Sequence, residues 1–280
     1  MTYAATPALE LVYLFDGTLE GMLTAVFEAF ARRENPTEIV TECNLQQSLM
    51  QSYVPIQTDV EHAARVQSGI IDMLGLRAYE DVKRVFLCDE GRKGGILLRY
   101  LQHTLKRGAR SRNYLANPAI ADFEELLLQV RREQHYMLQF VRFSQLQNGV
   151  FFSKIRPKAS VVPLIMDHFA ARFNIQPFMI YDEAHGLTGV YDMSKWWLVE
   201  ARDIIIPAQS EQQDAFESLW QTFYDTIAIE ERRNPICQRN FMPKRFWGTM
   251  CEQIPPQLRN QRPLTQTPTQ AARISHRLSA

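Results

Sequence analysis

Phe140 to Ile155, which reads FVRFSQLQNGVFFSKI, is where the chain changes character. Two extended runs, Phe140 to Leu146 and Gly149 to Ile155, are joined around Asn148-Gly149. Asn-Gly tolerates the positive φ angles of a tight turn, so this pair between alternating apolar residues predicts a β-hairpin. Arg142 and Arg156 then fall on or beside a sheet. Downstream, Phe178 to Tyr181, Thr188 to Tyr191 and Trp196 to Ala201 repeat the strand pattern, with a turn around His185-Gly186. Between them, Ser160 to Phe173 has helical spacing, with Ser160 as N-cap and Pro163 in the first turn. Ser210 to Arg233 carries Phe216, Leu219, Trp220, Phe223 and Ile227 as one apolar helical stripe.

Upstream of the hairpin the pattern is mostly helical. Glu10 to Phe15 (ELVYLF) reads as a strand that turns at Asp16-Gly17-Thr18 into an amphipathic helix ending near Arg33. Residues 35 to 57 read as an irregular connection with one short strand. Helices are expected over Asp59 to Leu74, Leu76 to Leu87, Gly95 to Lys106 and Pro118 to Gln139. The resulting expectation is an α+β fold, an antiparallel sheet backed by helices, with a helical lobe in the N-terminal half. Residues 1–139 form the strand-helix unit and lobe, 140–256 a mixed region continuous with it, and 257–280 a basic, poorly packed tail.

With 46% hydrophobic residues over 280 positions, a sizeable core is within reach. No apolar run is long enough to cross a bilayer, and the N-terminus lacks a secretory pattern, so a cytoplasmic protein with no membrane partner is expected. Cys43, Cys88, Cys237 and Cys251 form no CxxC pair, which argues for buried, reduced thiols and against a zinc ribbon or iron-sulfur cluster. No glycine-rich nucleotide fingerprint follows a strand, and Gly91 to Gly95 (GRKGG) reads as a basic turn. No cofactor and no metal is implied.

The zero net charge conceals a partition. Lys plus Arg against Asp plus Glu is 6 to 14 in residues 1–91, 12 to 4 in 92–156, 4 to 11 in 157–230 and 9 to 2 in 231–280. Two basic blocks either meet as a footprint for an anionic ligand or pair with the acidic blocks inside the fold. In the last block, Phe241 to Trp247 reads FMPKRFW. Lys244 and Arg245 suit phosphate, and Phe246 and Trp247 suit base stacking; equally, the rings suit docking on the core while the cations stay solvated.

Together with YLFDGTLEGMLTAVFEAF near the start, the hairpin-to-helix stretch, PFMIYDE and NFMPKRFW make an ordered set of motifs that resembles a bacterial family of DNA metabolism proteins. The likeness runs from about Tyr13 to Trp247. That family is a domain of unknown function, commonly encoded beside a radical SAM DNA modification or repair protein and sometimes fused to a uracil-DNA glycosylase-like domain. The resemblance implies a partner and a context, DNA metabolism, without transferable catalytic residues; any cluster or cofactor would belong to the partner. Phe246 stands where the family's motif carries tyrosine, which keeps the ring and removes a hydroxyl.

The expected role is a nucleic-acid-binding accessory protein in DNA repair or modification, acting on DNA, single strands included, beside a radical SAM enzyme. Its contacts are assigned to Arg142, Arg156, Lys244, Arg245, Phe246 and Trp247. One alternative is a protein-interaction scaffold without DNA contact. Another is a metal-assisted phosphodiesterase or glycosylase-like enzyme built from Glu133 and His135, Asp167 and His168, or Asp182, Glu183 and His185. None of these clusters has a recognised ligand spacing, and structural roles are the preferred reading for each.

Overall fold

The computed structural model describes residues 10–41, 48, 50–200, 211–227 and 235–250. The chain divides into two compact units, one made of Met1–Gln139 with Arg156–His168, the other of Phe140–Ile155 with Phe169–Ala280.

In the first unit, β1 (Glu10–Phe15) is the central strand of a three-stranded sheet, with β2 (Glu38–Thr41) and β3 (Gln51–Pro55) on either side. Both pairings are parallel, with Tyr13 opposite Ile39 and Val54. Helix α1 (Leu19–Arg32) makes the β1 to β2 crossover that parallel strands require. Its N-cap is Thr18, whose Oγ1 accepts from the Gly21 amide at 2.9 Å, and Asp16 in turn accepts from the Thr18 amide and hydroxyl. Asp16 also accepts from the Thr58 hydroxyl at 2.7 Å. Burial alone would raise the Asp16 pKa, but the hydrogen bonds from Thr18 and Thr58 outweigh it and hold the carboxyl below its usual range.

Helices α2 (Val60–Leu74), α3 (Leu76–Phe86), α4 (Lys93–Arg107) and α5 (Pro118–Phe140) form the lobe. They sit close to their expected bounds except that α4 begins at Lys93 and runs through Gly94-Gly95, where the sequence suggested a basic turn. Close packing explains the glycines: a Cβ on Gly94 would lie 2.2 Å from the Ile39 carbonyl of β2, and one on Gly95 would lie 2.4 Å from that of Thr37. Lys93 is likewise structural, its amine donating to the carbonyls of Phe86 and Cys88 at 2.7 and 2.8 Å. The core between α4 and α5 is centred on Tyr100 and Phe123, stacked at 3.7 Å and both fully buried.

In the second unit, β4 (Ser144–Gln145), β5 (Phe151–Ile155), β6 (Phe178–Asp182), β7 (Leu187–Tyr191) and β8 (Trp196–Glu200) form a five-stranded sheet in sequence order. The expected hairpin is present but short: Phe140 and Val141 precede the strand, Gln145 faces Phe151, and Gly149 takes φ +82°. The β4-β5, β6-β7 and β7-β8 pairs are antiparallel, whereas β5 and β6 run parallel. The antiparallel expectation is therefore corrected to a mixed α/β fold with parallel strands in both sheets. The reason is α6 (Val162–Arg172), which lies between β5 and β6 and returns the chain to the starting edge. Its first helical residue is Val162, two beyond the expected Ser160 cap. Ser160 instead belongs to an irregular stretch, its amide donating to the Leu87 carbonyl at 2.9 Å.

Phe143 gathers Phe169, Phe173 and Phe178 within 5.6 Å, centroid to centroid, as an aromatic cluster beside β6. Helix α7 (Glu211–Ile227) carries the expected apolar stripe, of which the Phe216 and Ile227 side chains lie outside the description. Leu219, Trp220 and Phe223 of the apolar stripe are exposed. The polar side of α7 contacts the edge strand: Gln213 Oε1 accepts from the Gln145 amide at 3.2 Å, and Ser144 Oγ lies 3.3 Å from Glu217 Oε1. A short strand edge with open amides rewards a polar helix face. Helix α8 (Pro235–Phe241) and a 3-10 turn over Lys244–Thr249 complete the described chain. Arg233 and the basic tail lie outside the described residues. Cys88 is buried and Cys237 exposed, and neither is in a disulfide among the described residues, so the buried-thiol expectation fails at Cys237; Cys43 and Cys251 lie outside the description. Among the described residues no helix is long and apolar enough to cross a membrane.

Candidate functional site

The FMPKRFW segment separates its rings from its cations. Phe246 is buried and packs 5.4 Å from Phe140, so its face is engaged within the unit. Trp247 is half-buried and donates through Nε1 to the Met242 carbonyl at 3.0 Å, which locks the indole against the preceding turn. Lys244 and Arg245 are exposed. Each lies over a ring of the same segment: the Arg245 guanidinium carbon is 4.3 Å from the Phe246 centroid, and the Lys244 amine is 5.9 Å from that of Trp247. A cation held over an aromatic face loses part of its rotamer freedom. The segment thus presents two charges on an anchored turn.

Arg142 and Arg156 are both exposed, but the chain assigns them to different units: Arg142 precedes β4 in the second, and Arg156 follows β5 into the first. Arg142 Nη1 donates to the Val141 carbonyl at 3.3 Å.

The acid and histidine clusters are largely structural. Glu133 is buried and accepts from the Lys158 amide at 2.9 Å, while His135 pairs with Gln139 on the exposed side of α5. Asp167 and His168 are exposed. Asp182 and His185 do meet, Oδ2 to Nδ1 at 2.5 Å, with the aspartate fully buried. The same carboxylate accepts from the amides of Ala184 and His185, so it closes the β6-β7 turn. Glu183 turns away to Lys154 at 2.6 Å. Among the described residues no three His, Cys, Asp or Glu side chains gather as metal ligands.

A second cationic feature lies within the first unit, between α3 and α5. Residues Leu76, Arg77, Glu80, Asp81, Arg84, Arg131 and Gln134 line a pocket of about 500 Å³. Arg77, Asp81 and Arg84 share one face of α3 because they are four and three residues apart, and Arg131 and Gln134 share one face of α5. Asp81 is buried and its two oxygens accept from Arg112 Nη2 at 2.7 Å and Arg131 Nη2 at 2.8 Å; Arg84 Nη1 stands 3.7 Å away. Arg112 is braced again by the Tyr100 hydroxyl at 2.9 Å. Sequence reading missed this pocket. The only advance signal was the Arg77, Asp81, Arg84 spacing, which is indistinguishable from an ordinary solvated helix face until α5 is placed beside it.

A family model described as a domain of unknown function, DUF4130, matches residues 92–252, more than half of the chain. The chain belongs to the DUF4130 family. The DUF4130 match takes in α4, α5, the whole five-stranded sheet and the FMPKRFW segment, and leaves α3 outside its bounds. No curated protein matches the chain.

Proposed function

We propose that this DUF4130 protein is a nucleic-acid-binding accessory factor in DNA repair or modification that works beside a radical SAM enzyme. The observation that carries the binding part is the anchored display of Lys244 and Arg245: the turn's rings are fixed by Phe140 and by the Met242 carbonyl, and its charges face outward. Such a surface suits phosphate contacts, which position a nucleic acid without reading its sequence. Trp247, half-buried, leaves part of its indole for a base, and Arg142 adds an exposed charge in the same unit. The DNA context and the partner rest on the ordered motifs from Tyr13 to Trp247 that resemble the DNA metabolism family.

The test is binding of the purified chain to single- and double-stranded DNA across a salt series. Replacing Lys244 or Arg245 by Ala is expected to weaken binding to all sequences alike and to lower the salt slope by about one unit each. An unchanged slope in both variants removes these residues from the interface. A second reading, a scaffold that contacts the partner enzyme and no DNA, is favoured by the exposed Leu219, Trp220 and Phe223 of α7. Partner retention after nuclease treatment, with no DNA binding at low salt, would select it.

A further inference from the structure

The pocket between α3 and α5 holds more positive charge than its own ion pairs use. Asp81 is the one buried acid there, and Arg112 and Arg131 occupy its two oxygens. Glu80, at the rim, is paired with Lys83 at 2.8 Å. Arg84 is left at 3.7 Å from Asp81, and Arg77 makes no ion pair among the described residues. The guanidiniums of Arg84, Arg112 and Arg131 share one carboxylate and Arg77 lines the same pocket, so positive charge exceeds negative there and a further anion would be favoured. The buried carboxylate also does what a binding site needs beforehand: it fixes the Arg131 fork in one orientation.

We propose that this pocket binds the phosphate of a nucleotide-sized phosphomonoester. A monoester is dianionic near neutral pH and matches the surplus of Arg77 and Arg84, and guanidinium forks pair with phosphate oxygens in a bidentate manner. The volume is within the range of small-molecule sites and larger than phosphate alone requires. Leu76 offers apolar surface for a ring, and Gln134, whose Nε2 is tied to the Leu164 carbonyl at 2.9 Å, keeps its Oε1 as an oriented acceptor for a hydroxyl or amine. This site goes beyond the DNA reading and does not depend on it. The phosphomonoester has two sources, a free nucleotide or the phosphorylated end of a strand.

The test is calorimetric titration of the full chain with adenosine 5′-monophosphate, adenosine, and an oligodeoxynucleotide with and without a 5′-phosphate. Adenosine 5′-monophosphate is expected to bind at least about tenfold more tightly than adenosine, and Arg77→Ala to weaken it by about tenfold, the scale of one charge-assisted contact. Arg77→Ala should fold normally because the side chain is exposed and makes no ion pair among the described residues; Arg84→Gln, which keeps the bulk, is the second variant. Preference for the phosphorylated oligonucleotide would assign the site to strand ends, and its absence, with the mononucleotide bound, to free nucleotides. Equal binding of adenosine and its monophosphate overturns the proposal. So does binding that survives both Arg77→Ala and Arg84→Gln but is lost in Lys244→Ala, which would move the phosphate to the C-terminal turn. Unchanged DNA binding in Lys244→Ala, with mononucleotide binding weakened in Arg77→Ala, would fail the DNA reading alone; DNA binding lost in Lys244→Ala, with adenosine and its monophosphate bound equally, would fail this one alone.

Discussion

Replacing Asp81 by Asn tests whether the arginines between α3 and α5 are organised by one buried charge. The side chain is only 3% exposed, Arg112 is 16% and Arg131 42%. Asparagine keeps the shape but loses the charge and turns an NH2 group towards one of two guanidiniums. The lost charge-assisted bond to Arg112, largely removed from water, is worth about 1.5–3 kcal/mol. The Arg131 contact, with that side chain more than a third exposed, is screened by solvent and adds up to about 1 kcal/mol. Together these give a destabilisation of about 2–4 kcal/mol, short of the full cost of breaking a wholly buried pair because neither arginine is fully buried. At about 2–4 °C per kcal/mol for a domain of this size, the melting temperature should fall by roughly 4–16 °C.

Urea unfolding followed by circular dichroism, with Arg112→Gln and the double variant completing a cycle, measures the charge coupling directly. A coupling of about 1.5–3 kcal/mol is expected between Asp81 and Arg112. A fall below about 0.5 kcal/mol in Asp81→Asn, no more than an ordinary surface change, would refute the reasoning. It would mean that water, not arginine, compensates the carboxylate.

Gly94→Ala should destabilise the first unit by about 1–3 kcal/mol in the same urea assay, since the new methyl would meet the Ile39 carbonyl of β2 and a backbone atom cannot rotate aside. Gly69→Ala, where a Cβ meets nothing within 4 Å, is the matched control and should be neutral or slightly stabilising. Asp16→Asn should flatten the acid limb of stability: the folded pKa is depressed, so the Asp16 contribution is fully present above the unfolded value and is lost as pH falls through the folded one. Unfolding curves from pH 6 down to about pH 3 should converge for the two proteins as the carboxyl protonates, and a constant gap across that range would show that the Thr18 and Thr58 hydrogen bonds do not depend on its charge.

The helices and strands were legible where one local rule governs them. Asn148-Gly149 marked a real turn, and Thr18 capped the helix that follows β1, because both depend on residues in immediate succession. Strand direction was not read from period-two patterning, which is the same in parallel and antiparallel pairs. The order of elements did carry it: a helix between FFSKI and FMIYD, and another between ELVYLF and EIVT, are crossovers that put the flanking strands parallel. The α7 stripe marked a helix but not its neighbour, because amphipathicity says that a face differs, not what will cover it, and here Gln213 and Glu217 answered the open edge of β4. At the candidate sites, local spacing placed Lys244 and Arg245 on one turn, while the link from Asp81 to Arg131 spans 50 positions and depends on helix packing that no short window contains.

The two cationic features proposed as sites are built on different physics, and that difference makes the two proposed ligands separable by experiment. Lys244 and Arg245 owe their placement to rings and remain exposed, so whatever they attract is held mainly by screened, long-range charge and should weaken steeply with salt. Arg84 and Arg131 gather at a buried carboxylate and line a concavity, where hydrogen-bond geometry as well as charge would select the proposed anion. Raising ionic strength should therefore release a polyanion from the C-terminal turn sooner than a phosphomonoester from the pocket. The acidic partition of the sequence has a part in this too: Asp81 belongs to the acidic block of residues 1–91 and Arg112 and Arg131 to the basic block that follows. The blocks do pair inside the fold there, and pairing one acid with several arginines leaves the positive remainder on which the proposed phosphate site rests.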